Sequence, residues 1–117
     1  MIIGIGLDIT EIKKIESILL KTSKFIPRVL TKKEIEIMET LSSSRQLEFV
    51  AGRFAAKEAF SKALGTGIGK SCSFQDIEIL KESNGKPVLY FNEKPLNGFV
   101  SITHTKDYAA AQVILQS

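Results

Sequence analysis

The chain has no tryptophan, one cysteine, one histidine and three prolines in 117 residues, and 8% of it is aromatic. A single cysteine excludes an intrachain disulfide. Cys72 stands between Ser71 and Ser73 with no base beside it, and is read as incidental to any chemistry. No apolar run approaches the roughly 18 residues that span a bilayer, and the start lacks the basic segment of a secretory signal. The expectation is a cytoplasmic protein with no membrane partner. Repeats, low-complexity tracts and linkers are also missing, so residues 1–117 read as a single domain, with 44% hydrophobic residues to build one core.

The glycines are in the wrong places for two common nucleotide signatures. A phosphate-cradling P-loop puts its glycines before a helix, whose N-terminus then faces the anion. Here Gly65-Thr66-Gly67-Ile68-Gly69 follows a predicted helix, which excludes that reading. Gly4-Ile5-Gly6 lacks the third glycine and the strand-helix-strand setting of a dinucleotide fingerprint.

What is present patterns as α+β, with helices packed on an antiparallel sheet. Met1 to Leu7 is rich in β-branched residues and reads as a buried first strand that ends at Asp8. A helix begun near Thr10 aligns Ile12, Ile15, Ile18 and Leu19 in one stripe, with Lys14, Ser17 and Lys21 on another face. Thr31-Lys32-Lys33-Glu34 has the form of a capping box and predicts a second helix through Ile35, Met38 and Leu41, broken by Ser42-Ser43-Ser44. A long third helix is predicted from about Arg45 to Leu64, burying Leu47, Val50, Ala51, Phe54 and Ala55, with Gly65 as its left-handed cap. Strands follow at 74–80, 88–91, 99–104 and 108–115. Their short links imply antiparallel pairing, and Asn84-Gly85 suggests a tight hairpin.

Four residues carry the chemistry. On a helix, residues i and i+4 stack, so Phe54, Glu58 and Lys62 share one row. A carboxylate there can hold Mg²⁺ while the ammonium neutralises phosphate oxygens. The same spacing also describes an ordinary surface ion pair. Asp8, at a strand end, is placed either to meet a metal or to begin a turn. His104, the only histidine, falls on the face of its strand shared by Val100 and Ile102, opposite Ser101 and Thr103. Near a phosphate its charged form would be favoured.

Three blocks together resemble the bacterial holo-[acyl-carrier-protein] synthase family of small 4'-phosphopantetheinyl transferases. They are Gly4-Ile5-Gly6-Leu7-Asp8-Ile9-Thr10-Glu11-Ile12, the segment from Arg53 to Gly67, and Ser101-Ile102-Thr103-His104 with Ala109-Ala110-Ala111-Gln112-Val113-Ile114. The resemblance implies transfer of phosphopantetheine from coenzyme A to a serine of apo-acyl carrier protein, in support of fatty acid biosynthesis. It implies Asp8 and Glu58 as ligands of Mg²⁺, with Mn²⁺ as the alternative metal. Lys62 matches the lysine at the pyrophosphate, and His104 and Arg53 match positions lining the coenzyme site. Gly65 and the Asn84-Gly85-Lys86-Pro87 hairpin are implied for coenzyme binding, the hairpin reaching a neighbouring subunit's coenzyme in a homotrimer. Asp8, Glu58, Lys62 and His104 form the implied catalytic set. The family's acceptor-docking helix corresponds to the segment after Asp8, where Lys14 replaces a common arginine and loses its bidentate fork toward carboxylates.

The net charge is only +3, yet Lys13, Lys14, Lys21, Lys24, Arg28, Lys32 and Lys33 crowd the first third. Lys14, Lys21, Lys24 and Arg28 are the expected docking set for acidic acyl carrier protein, and a merely solvated face is the other reading. Two alternatives remain: a non-catalytic basic module for RNA, suggested by a pI near 9.0, and an inactive paralogue that binds carrier protein without transfer. Nucleic-acid modules usually pair basic grooves with exposed stacking aromatics. Most phenylalanines here sit at core periodicity, so no nucleic-acid partner is expected.

Overall fold

The computed structural model describes residues 1–117. It begins with strand β1 (Ile2–Glu11), followed by helices α1 (Ile12–Lys21), α2 (Phe25–Val29), α3 (Lys32–Glu39) and α4 (Ser43–Leu64). A 3-10 turn (Phe74–Asp76) leads into β2 (Ile77–Lys81), β3 (Pro87–Phe91), β4 (Lys94–Pro95), β5 (Gly98–His104) and β6 (Tyr108–Gln116). The strands form two three-stranded antiparallel sheets, ordered β1-β6-β5 and β2-β3-β4, rather than one.

β1 does not stop at Asp8. The β-branched Ile9 and Thr10 continue the ladder, and Asp8 pairs with Ala111, Ile9 with Ala110 and Thr10 with Ala109. Asp8 therefore lies inside a strand, and α1 starts two residues later than Thr10. Nor is β1 buried on both faces. Ile3, Ile5, Leu7 and Ile9 are exposed, while Gly4 and Gly6 face α4. That contact needs glycine: a Cβ on Gly4 would lie 2.0 Å from the Ala63 carbonyl oxygen, and one on Gly6 would lie 1.8 Å from that of Ala59. Small residues on both elements bring α4 against the strand backbone.

The helices follow their caps. Thr31 and Glu34 form the expected reciprocal capping box at α3. Ser42 is the N-cap position of α4 and Ser43 and Ser44 open that helix, so the serine run starts α4 as well as separating it from α3. Gly65 ends α4 at φ 91°, a left-handed value that glycine adopts without strain. The short α2 went unpredicted because it is a single turn around Pro27. Residues 74–76 are helical because Ser73 and Asp76 make a second capping box. Strand β2 and β3 are joined by the loop Glu82–Lys86, longer than a two-residue hairpin, with Gly85 at φ 86°.

One core cluster joins Ala55, Ala56, Ala59, Phe60 and Ala63 of α4 to Val113 and Leu115 of β6 and to Ile77, Ile79 and Leu89 of the second sheet. Another packs Ile12 and Ile15 of α1 against Val29, Leu30, Met38, Val50 and Phe74. Helix α4 thus ties both sheets to the smaller helices.

Candidate active site

Asp8 and Lys62 meet across the contact between β1 and α4. The Lys62 Nζ donates to Asp8 Oδ1 at 3.1 Å and to the Leu7 carbonyl oxygen at 3.1 Å. Thr10 Oγ1 donates to the other oxygen, Asp8 Oδ2, at 3.1 Å. Asp8 is mostly shielded and Lys62 is half exposed, at 16% and 52% of their side-chain areas. Glu58, one helical turn before Lys62, belongs to the same cluster. Partial burial pushes its carboxyl pKa up, the Asp8 charge adds to that, and Lys62 opposes it.

The donor set fits a divalent cation held jointly with a ligand. Asp8 and Glu58 supply hard carboxylate oxygens, and their mutual repulsion is relieved by a shared cation. No group of three or more His, Cys, Asp or Glu side chains is assembled for a metal. Two carboxylates leave most of a six-coordinate Mg²⁺ shell to phosphate oxygens and water.

A second feature is a groove of about 880 Å³, lined among others by Lys33, Arg45, Arg53, Lys81, Gly85 and His104. Arg53 is only 5% exposed, and its Nε and Nη2 have no hydrogen-bond partner. Its guanidinium rests 4.4 Å from the centroid of Phe49. Burial pushes its pKa down and Glu34 partly offsets this. Arg53 shares the groove lining with Lys33, Arg45 and Lys81, four cations against the two carboxylates Glu36 and Glu48, a balance that suits an anion. His104, exposed at the end of β5, has its Nε2 3.2 Å from Glu48 Oε2. Arg53 and Lys62 are nine residues apart on α4, about 13 Å along the axis at roughly 1.5 Å per residue.

The anticipated residues therefore fall in two places within one chain. Asp8, Glu58 and Lys62 cluster where α4 crosses β1, with Gly65 just beyond. Arg53, Gly85, Pro87 and His104 line the groove. Neither Asn84 nor Lys86 does: the Asn84 side chain accepts from the Lys86 amide at 2.9 Å, and Lys86 Nζ lies 5.3 Å from the Phe99 centroid. Lys14, Lys21, Lys24 and Arg28 are all exposed on α1, α2 and the turn between them.

Sequence reasoning missed the groove's Lys33, Arg45 and Lys81, the Glu48 beside His104, and Thr10 beside Asp8. It also missed the ion pair under the site. Lys57 is fully buried and spends its three donors on Glu34 Oε1 at 2.6 Å, the Val29 carbonyl at 2.7 Å and the Phe74 carbonyl at 3.0 Å. Glu34 also accepts from the amides of Thr31 and Ile79. Burial pushes the Lys57 pKa down against the pull of Glu34. The pair joins α3, α4 and β2 and so sets the rotation of the helix that carries Glu58 and Lys62.

A family model described as the 4'-phosphopantetheinyl transferase superfamily matches residues 4–113. The chain belongs to this superfamily. It is 56% identical over 117 residues to the holo-[acyl-carrier-protein] synthase of Bacillus subtilis, a match covering 99% of this chain and 97% of that protein. A crystal structure of a holo-(acyl-carrier-protein) synthase from Bacillus anthracis in complex with CoA (3',5'-ADP) superposes with a TM-score of 0.87. Its identity is 51%, with 100% of this chain and 98% of that one covered. The Helicobacter pylori holo-[acyl-carrier-protein] synthase in complex with coenzyme A gives a TM-score of 0.82 at 35% identity, covering 96% and 99%. Within the superfamily, the groove and the Asp8-Glu58-Lys62 cluster stand on one α+β scaffold shared with these enzymes.

Proposed function

We propose that this chain is a holo-[acyl-carrier-protein] synthase, transferring 4'-phosphopantetheine from coenzyme A to a serine of apo-acyl carrier protein. The observation that carries the reading is the convergence of Asp8 from β1 with Glu58 and Lys62 from α4. Asp8 and Glu58 would hold Mg²⁺ or Mn²⁺, which supplies charge neutralisation and alignment at the pyrophosphate. Phosphoryl transfer asks for positioning and electrostatics rather than a covalent protein intermediate, so no cysteine is needed.

The serine oxygen forms a bond to the phosphorus next to pantetheine, and the bond from that phosphorus to the bridging oxygen breaks. Adenosine 3',5'-bisphosphate leaves with the electron pair. Lys62 faces the charge that develops on the phosphate oxygens. Glu58, on the α4 face beside Lys62, is the carboxylate placed to accept the serine proton, directly or through one water. Arg53, with its free buried nitrogens, and His104 bind the nucleotide end of the coenzyme in the groove.

Assembly as a homotrimer accounts for the separation of these two half-sites. Each chain exposes an apolar sheet face, with Ile3 at 64%, Ile5 at 57%, Leu7 at 63%, Ile9 at 67% and Phe99 at 49% exposed. Covering that face with another copy would bring one chain's groove toward its neighbour's Asp8 cluster. The basic residues Lys14, Lys21, Lys24 and Arg28 remain the docking surface for the acidic carrier protein, and cytoplasm is the compartment where these substrates meet. No helix is long and apolar enough to cross a membrane.

One assay tests the reading: purified protein, Mg²⁺, coenzyme A and apo-acyl carrier protein, with the acceptor followed by mass spectrometry. The expected outcome is a mass increase of one phosphopantetheine on the acceptor serine. Carrier-protein binding without that increase would identify an inactive paralogue. Neither binding nor transfer, with retention of RNA, would favour the basic-module reading.

A further inference from the structure

We propose that Lys62 is the resident counter-ion of the Asp8-Glu58 pair and that it and the divalent cation occupy Asp8 Oδ1 in turn, so that metal loading releases Lys62 toward the coenzyme phosphates. The proposal rests on the metal-site reading above and deepens it. Asp8 has both oxygens engaged, but unequally. Oδ2 is held by Thr10, which is buried and locked into the β1–β6 ladder opposite Ala109. Oδ1 is held by Lys62, a half-exposed side chain on a flexible stem. Thr10 therefore fixes the carboxylate orientation, and Oδ1 is the oxygen free to change partners.

The Lys62 ammonium also accepts a second hard oxygen as partner, donating to the Leu7 carbonyl at 3.1 Å. A cation-friendly place between a carboxylate and a carbonyl is thus already filled by positive charge. A divalent ion on Oδ1 and an ammonium at hydrogen-bond distance from the same atom repel each other strongly, so one displaces the other. Two consequences follow. The protein without coenzyme should bind metal more weakly than its carboxylates alone would, because Lys62 competes. Coenzyme phosphates, by drawing Lys62 away, should tighten metal binding, and by linkage the metal should tighten coenzyme binding equally.

The experiment is a Mn²⁺ titration of the full chain, reading free Mn²⁺ by electron paramagnetic resonance, first without and then with saturating coenzyme A. Wild type, Lys62→Met and Asp8→Asn are compared, with circular dichroism verifying the fold of each. Without coenzyme, Lys62→Met is expected to bind Mn²⁺ about fivefold tighter than wild type or more, the low end of typical linkage between two ligands. Coenzyme A should tighten binding to wild type more than to Lys62→Met. Equal or weaker Mn²⁺ binding by Lys62→Met, while Asp8→Asn still loses the ion, would overturn the exchange and leave the metal site standing. Binding that is the same in wild type and Asp8→Asn, with and without coenzyme, would overturn both.

Discussion

At the residue scale, Lys57 holds α4 in place through its buried pairing with Glu34, a role that no local spacing signals. It sits one position before Glu58 and looks like another charged residue of a surface helix, yet α4 buries Val50, Ala51, Ala55, Ala56, Ala59 and Phe60 around most of its circumference. A helix with small apolar residues on nearly every side has little solvated surface along its middle, so a charge there must be paired inside. That alanine-rich pattern was the available signal. Lys57→Met, which leaves Glu34 buried without its cation, should cost about 3–5 kcal/mol of stability. Adding Glu34→Gln should cost less than the sum of the single changes, because the double variant strands no charge. Urea denaturation of the two singles and the double measures this, and strict additivity would show that the two side chains do not act as a pair.

At the scale of elements, caps and rows were readable and turns were less so. The Thr31–Glu34 box and Gly65 cap stand where their chemistry requires. Ser73 and Asp76 carry the same reciprocal pattern and could have been read in the same way. The β3–β4 hairpin has no glycine signal: Asn92 and Glu93 take φ of 51° and 70°, a pair of positive values usually flagged by Asn-Gly. Helix α1 belongs here too, since its buried Ile12 and Ile15 leave Lys14 and Lys21 outward. Charge reversal at Lys14 and Lys21 should raise the KM for carrier protein several-fold while leaving that for coenzyme A nearly unchanged. Added salt should act the same way on wild type, since rim charges act on encounter and are screened over about 8 Å at physiological ionic strength. Substrate titrations at two salt concentrations check this, and an equal change for both substrates would remove α1 from the docking surface.

For the whole molecule, the apolar run at the start of the chain reads as a buried strand, the usual meaning of continuous hydrophobicity. Within one chain only the glycine face is covered. The reading and the structure agree if a second copy covers Ile3, Ile5, Leu7 and Ile9, a patch larger than scattered surface apolars explain. Symmetry was never legible, because spacing along a chain reports which side chains share a face and says nothing of what lies opposite. With a second copy on that face, Ile5→Glu, set in its middle, should yield a monomer and abolish most of the transfer while retaining helical content. Light scattering with circular dichroism and the transfer assay measures all three, and a fully active monomer would show that one chain holds a complete site.

The pairing of β1 with β6 has a consequence for how the protein is made. Asp8 leaves the ribosome well before the strand that pairs with it, Ala111 and its neighbours, because all four helices lie between them in the sequence. At about 5–20 residues per second, that partner arrives many seconds later. The long helix with Glu58 and Lys62 can form in the meantime, but the carboxylate it must meet has no ladder to hold it. The Asp8 cluster is therefore assembled in one late step, when β6 closes between β1 and β5, and a nascent chain stalled before Tyr108 would lack it however well its helices had packed.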